Sequence, residues 1–456
     1  MSTLLPSRPG LRVSPLFLGV QLLLSTLAVS RYDATAFVYR WGDEVDFFNW
    51  FWRHRTLGLL SFFDFLLLAL LALAAAGIVA SGRWRRRPFD ALAYALLLVV
   101  GFSAAVRFLH VEVEDTARGF LYQLRNYAYF VAAYAVASRL RWTPQRLRWF
   151  AGLAAALAVL TMALSWWEIR QAAPGDIVMK YGRTVGVRDL SDYVFLFFLQ
   201  FGAMALLLER APRRWWQEAL LLAIVVDGLY GALTGVGRGV LVVYLAVLVY
   251  FAWHYRLVFR RWFLSVLAGG LVLIAALGAY VLLEVKRPGE DSPLYVYTTF
   301  TSRDVSTSTR VREAMNFGAN LHHRYAWLSG IGLGNKWYEF WRQPEADLGA
   351  YPPEEWESDW HLGTHVPFVR LVLDFGLLGA GAVLVLFGAC FFSSMRAVRS
   401  GRLDAVARAF VVSSWAVIGY HVSINNLSGP KATLVAGLLL GAVAGLLGEP
   451  VSTDKG

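Results

Sequence analysis

Along nearly its whole length the chain alternates apolar runs with short polar connections. The runs are each near the roughly 20 residues that a helix needs to cross a bilayer. They fall at about 13–30, 57–80, 90–108, 118–138, 149–167, 192–208, 216–234, 239–255, 263–284, 367–394, 405–424 and 432–448. With 57% hydrophobic and 16% charged residues, the chain has too little polar surface to wrap so many apolar segments in a water-soluble shell. The fold class expected is therefore an all-α integral membrane protein of about 12 transmembrane helices. The run after Arg12 lacks a small-residue cleavage site and reads as a retained span. Cys390, the single cysteine, lies inside an apolar run and has no intrachain disulfide partner.

The charges give the chain a direction. Every even-numbered connection is short and basic: Arg83 to Arg87, Arg139 to Arg148, Arg210 to Arg214, Arg256 to Arg261 and Arg396 to Arg402. By the positive-inside rule these face the cytoplasm, together with both termini. The net charge of +11 is spread through these connections, so it reads as topology signalling and not as a nucleic-acid footprint. The odd-numbered connections then open on the outer face, where they are mixed, acidic (Glu112, Glu114, Asp115) or long. Residues 1–284 would hold spans one to nine, 285–366 an outer loop, 367–448 the last three spans and 449–456 a cytoplasmic tail. The loop is expected to be partly helical.

Outward cations that topology does not require call for another explanation, and an anionic ligand is the simplest. They are Lys180, Arg183 and Arg188 in one outer connection, Arg238 in the tight turn GVGRG, and Arg303, Arg310, Arg312 and Arg324 in the long loop. Arg238 is flanked by Gly237 and Gly239, which let a bulky group approach, and it opens a span whose first N–H groups favour an anion. Its guanidinium suits bidentate contact with phosphate; the competing reading is an arginine snorkelling to the interface. In the loop, a helix is expected from about Thr309, with Arg310 and Arg312 in its first turn against the dipole. GIGLG after it reads as a chain-reversing turn. His365, just before Pro367, would sit where the tenth span begins and is suited to proton transfer. Inside the spans, Asp64, Arg107, Arg125, Asp227 and Asp374 are costly in lipid and should face the bundle interior. Arg107 and Arg125 would either line one outward cavity or pair with Glu112 and Glu114, and the pairing is the preferred reading.

Three motifs, LTGVGRGVLV, TRVREAM with WLSGIGLGNKWYEF, and THVPFVRLVLDFGLLG, occur in an order and spacing that resembles the O-antigen ligase and O-antigen polymerase superfamily of bacterial membrane glycosyltransferases. The resemblance covers about residues 180–390. Val366 stands where that family often has Asn, and Gly237 where it often has Ser, so the sub-family stays open. The resemblance implies an inner-membrane enzyme with its active site facing the periplasm. It would take a glycan from undecaprenyl pyrophosphate and transfer it, with inversion and without a metal or other cofactor, to a sugar hydroxyl. The acceptor would be a lipid core in ligation or a second glycan in polymerisation. Arg238 and Arg310 would hold the pyrophosphate, with Arg312 as the alternative match to the family arginine, and His365 would act on the acceptor hydroxyl. From position, Arg183, Arg188 and Arg303 would add to substrate binding.

Two other classes compete. A transporter or flippase for an anionic polyprenyl-linked lipid would place its charges near the bilayer midplane and break helices there. A scaffold subunit would make the outer arginines individually dispensable.

Overall fold

The computed structural model describes residues 14–29, 55–57, 60–81, 86–110, 116–143, 145–153, 156, 179–180, 183–184, 193–209, 214–234, 238–255, 305–341, 359–361, 367–423 and 430–448. These are mostly helical. In chain order the labelled helices are α1 (Pro15–Val29), α2 (Phe62–Ser81), α3 (Asp90–Arg107), α4 (Thr116–Arg139), α5 (Tyr193–Leu208), α6 (Trp215–Thr234), α7 (Arg238–His254), α8 (Val305–His323), α9 (Pro367–Arg399), α10 (Ala405–Ser423) and α11 (Pro430–Leu447). Three two-residue strand pairs accompany them. β1 (Arg55–Leu57) pairs with β2 (Leu60–Ser61), β3 (Met179–Lys180) with β4 (Arg183–Thr184), and β5 (Trp337–Tyr338) with β6 (Trp360–His361). By length and composition α2, α3 and α9 each contain a window able to cross a membrane; apolar stretches in α5, α6 and α11 are shorter. The helical boundaries fall within a few residues of the apolar runs. The run at 263–284 and most of that at 149–167 lie outside the described residues.

Close packing between α4 and α11 rests on a glycine stripe. A Cβ built on Gly441 would lie 2.7 Å from the Tyr134 carbonyl oxygen, Gly437 is pressed in the same way against the Phe130 carbonyl, and Gly445 lies against the Trp142 indole. Small residues at such spacing let two helix backbones approach where side chains would hold them apart.

The contacts fix the relative direction of the helices. Gly437, Gly441 and Gly445 meet residues 130, 134 and 142 in order, so α4 and α11 run parallel. Tyr250 lies beside Phe391 and Met395, and Arg399 sits over the Trp253 ring at 4.6 Å, so α7 and α9 also run parallel. By contrast, Ser103 meets Asp374 while Val99 meets Gly379, making α3 and α9 antiparallel. Glu209 meets Arg408 while Gly202 meets Ser413, making α5 and α10 antiparallel.

The bundle thus has two unlike ends. At one, Arg139 bonds Asp90 at 2.9 Å and Arg408 bonds Glu209 at 2.6 Å, close to the ends of α9 and α7 where Arg396 and Arg399 lie. The other end carries the described part of the long loop.

Among the described residues, the buried carboxylates Asp64, Asp90, Glu209 and Asp374 each meet an arginine. Arg125 lies 3.3 Å from Asp64, and Tyr129 donates its hydroxyl to the same carboxylate. Glu112 and Glu114, the partners expected for Arg107 and Arg125, lie outside the described residues. Asp64 is far away in sequence but one helix away in space. The guanidinium of Arg107 lies over the Phe120 ring at 4.8 Å.

Candidate functional site

The loop helix α8 begins at Val305, one turn earlier than Thr309, because the Ser and Thr residues expected to precede it form its first turn. Arg310 and Arg312 therefore lie in the second turn, where the opposition to the helix dipole is weaker than in the first. One stripe of α8 is buried: Glu313, Asn316, Phe317, Asn320 and Leu321, at the spacing of a single helical face. Arg310 precedes Glu313 by three residues and Phe317 by seven, the register of that stripe. The side chain of Arg312 is exposed on another face.

Phe317 and Leu321 pack with Ala326, Ile331, Trp337 and Leu373 into a small core that joins the loop to the beginning of α9. Two asparagines organise this core. Asn320 accepts the Tyr338 N–H at 2.8 Å and donates to the Tyr338 carbonyl at 2.7 Å. Asn316 does the same to Trp341, at 2.8 and 3.0 Å. One helical turn apart, the two amides take the place of a neighbouring strand along 338–341. On the other side of this segment, β5 pairs with β6, and His361 lies buried 3.3 Å from Glu339.

The turn GIGLG then leaves this core and enters the bundle. Gly330, Gly332 and Gly334 all have positive φ (74°, 92° and 78°). A Cβ on Gly332 would strike the backbone of Arg107 at the end of α3. Gly334 donates its N–H to the Gln123 side chain at 2.9 Å, and Asn335 donates to the Arg107 carbonyl at 3.0 Å.

The turn is received by a break in α9. Gly376 has φ 67° and ψ 179°, which interrupts the helix. Without that break, Leu377 and Leu378 N–H would bond the carbonyls of Leu373 and Asp374. All four groups are taken up from outside the helix instead. Leu377 donates to the Trp327 carbonyl at 2.8 Å and Leu378 to that of Leu328 at 3.4 Å. Ile331 donates to the Leu373 carbonyl at 2.8 Å, and the Ser103 hydroxyl donates to the Asp374 carbonyl at 2.7 Å. A helix broken within an apolar bundle would otherwise leave costly unpaired backbone groups.

Just above the break, Arg370 and Asp374 are both buried and face each other one turn apart, with Nη2 2.9 Å from Oδ1 and Nε 3.0 Å from Oδ2. Arg370 also donates to the Asn335 carbonyl at 3.3 Å. Asp374 thus has two roles: its backbone ties α9 to α3, and its side chain braces the segment that meets the loop. The sequence reading passed over Arg370; the visible signal was an Arg-x-x-x-Asp pair, at i and i+4, in an otherwise apolar run.

The residues singled out from sequence are placed unequally. Arg238 is the first residue of α7, and because α7 and α9 run parallel it lies towards the end of the bundle at which α9 begins. Arg183 stands opposite Lys180 in the β3–β4 pair. Arg238, Arg183 and Arg310 are described in backbone only. His365, Arg188 and Arg303 lie outside the described residues, though α9 starts two residues after His365. Among the described residues no group of three His, Cys, Asp or Glu is placed to hold a metal ion.

Comparison with family models, with curated proteins and with solved structures finds no match to this chain.

Proposed function

We propose that this chain is a membrane glycosyltransferase of the O-antigen ligase or polymerase type, working at the loop-bearing end of the bundle. A sugar hydroxyl of the acceptor attacks the anomeric carbon of a polyprenyl-pyrophosphate-linked glycan. The bond from that carbon to the pyrophosphate oxygen breaks with inversion. His365 takes the hydroxyl proton, and Arg238 and Arg310 offset the charge that develops on the leaving pyrophosphate. Arg183, Arg188, Arg303 and Arg312 are the further cations of that face. The donor lies in the bilayer of the bacterial inner membrane with its head on the periplasmic side. Acceptance by a lipid core gives ligation, and acceptance by a second lipid-linked glycan gives polymerisation.

The observation that supports this reading best is the seating of the loop on α9. The segment from Trp327 to Ile331 and α8 are bound to the first twelve residues of α9 by backbone bonds and a shared core, so the backbone of Arg310, in α8, belongs to the same rigid unit as the helix that follows His365. The loop core and the start of α9 lie away from the cation-rich end, the arrangement expected of an outer and a cytoplasmic face.

One observation favours the flippase reading. A broken helix beside buried charges is what transporters use to line a path. Here, however, three of the four groups released by the break are occupied by loop backbone and the fourth by the Ser103 hydroxyl, and the charges are paired with each other. A filled break favours a fixed scaffold over a moving one.

The test is reconstitution of the purified protein with an undecaprenyl-pyrophosphate-linked glycan and an acceptor. Arg238→Ala, Arg310→Ala and His365→Ala should each lower transfer by about 100-fold or more, as removal of a charge-stabilising donor or a general base does. Full transfer by all three variants would sink the proposal. Movement of the donor across the bilayer without transfer would establish the flippase.

A further inference from the structure

At the carboxyl end of α8 lies an open cavity of about 200 Å³ lined by Asn320, His323, Arg324, Tyr338, Phe340 and Trp360. We propose that this cavity is a saccharide subsite that holds one pyranose ring of the glycan, remote from the reacting bond. The inference rests on the glycan-transfer reading for its biological meaning, but its test does not.

Its size limits the occupant. Pockets that enclose drug-sized ligands run to roughly 300–1,000 Å³, so this one suits a single ring. Its walls suit a sugar. The rings of Tyr338 and Phe340 lie 5.0 Å apart at 76°, and those of Tyr338 and Trp360 lie 5.1 Å apart at 64°. Such angled rings make a concave apolar lining instead of a closed stack, and the C–H face of a pyranose fits against that kind of surface. Polar groups stand at its rim. Arg324 lies over the Trp360 ring at 5.5 Å, and the His323 ring is stacked on Phe340 at 4.8 Å. His323 closes the last turn of α8 and Arg324 follows it, at a helix end where positive charge is favoured, and both can meet ring hydroxyls.

The lining is also held in place before any ligand arrives. Asn320 uses its amide to fix the Tyr338 backbone, and Trp360 is fixed by the pairing of β6 with β5. A preset platform lowers the ordering cost of binding. Phe340 remains 40% exposed in spite of this ordered surrounding, which leaves an aromatic face available to a partner. Arg324 follows Arg310 by 14 residues, about 21 Å along a helix. A ring bound here is several sugars away from a pyrophosphate at Arg310, so the cavity would grip the body of a chain and not its reacting end.

The experiment is saturation-transfer NMR on the full chain in lipid nanodiscs, with methyl glycosides of a neutral hexose, an N-acetylhexosamine and a hexuronic acid as probes. At least one probe should receive magnetisation on its ring protons. Trp360→Ala and Arg324→Ala should weaken its binding by about tenfold, equivalent to roughly 1.4 kcal/mol. Trp360→Phe, which keeps a ring, should retain most of the signal and shows that the loop is folded. Trp341→Ala, which changes an exposed ring outside the cavity, should leave the signal unchanged. Absence of transfer to every probe, or equal transfer in wild type and Trp360→Ala, overturns the proposal. Glycoside binding in a protein that fails to transfer glycan would keep the subsite and discard the transferase; transfer without glycoside binding would do the reverse.

Discussion

Gly330 and Gly376 face each other backbone to backbone. A Cβ on Gly330 would lie 2.6 Å from the Gly376 nitrogen, and a Cβ on Gly376 would strike the Gly330 nitrogen in return. Both residues have positive φ. Glycine is therefore required twice at each position, once for the backbone angle and once for the space.

From this pair follows the first prediction. Gly330→Ala and Gly376→Ala should each destabilise the protein by at least ~1–3 kcal/mol, the cost of a strained backbone alone. Gly388→Ala, in the same helix α9 with nothing within 4 Å of its added Cβ, is the control and should be neutral or slightly stabilising. Unfolding midpoints in detergent decide it. Equal midpoints for Gly376→Ala and Gly388→Ala would mean that the turn does not seat in the break.

The asparagine pair in α8 is testable separately. Asn320→Ala leaves the Tyr338 N–H and carbonyl without their partner, at a cost of about 1–3 kcal/mol. Hydrogen exchange at the Tyr338 amide should accelerate. Asn320→Asp keeps the acceptor and loses the donor, so it should fall between the alanine variant and wild type. An unchanged exchange rate in Asn320→Ala would rule out the strand-like role.

Arg370 and Asp374 should behave as a coupled pair. Arg370→Met leaves a buried carboxylate without its cation and should cost about 3–5 kcal/mol. Arg370→Met with Asp374→Leu together should recover most of that loss, less the bond from Arg370 to Asn335. Thermal unfolding of the two single variants and the double variant gives the coupling. Additive losses would show that the charges do not depend on each other.

Orientation can be read by labelling. In a Cys390→Ser background, Tyr325→Cys and Arg402→Cys place single thiols at opposite ends of the bundle; Tyr325 is 94% exposed. A membrane-impermeant maleimide added to intact cells should label the first and not the second. Labelling of Arg402→Cys alone would invert the proposed topology.

Much of the helical layout was legible because hydropathy reports where a helix is, and the boundaries of α3, α5 and α10 lie within a residue or two of the apolar runs. GIGLG was legible as a turn because alternate glycines announce positive φ. Its destination was not. Gly376 sits in FGLLGAG, where hydropathy sees only an apolar run and cannot register that one glycine has left the helical region. That Asp64 meets Arg125 was not legible either, because the carboxylate comes from α2, far back in the chain. The amide ladder of Asn316 and Asn320 was hidden because asparagines at i and i+4 on a helix look like an ordinary polar face until a strand is laid beside them. Of the candidate site, α8 and the start of α9 were readable, but the Arg370–Asp374 brace and the aromatic cavity emerge only when residues far apart in the chain are brought together.

The break in α9 has a consequence for how the chain is made. Trp327, Leu328 and Ile331 leave the ribosome before Leu373 to Leu378, yet they supply the bonds that the later segment lacks. In the topology proposed above, the loop must already have been exported when α9 is handed to the bilayer. Membrane insertion of α9 is thus conditional on the export of what precedes it. A nascent chain whose loop is retained would offer lipid a helix with its middle unbonded, a defect that quality-control proteases are equipped to find.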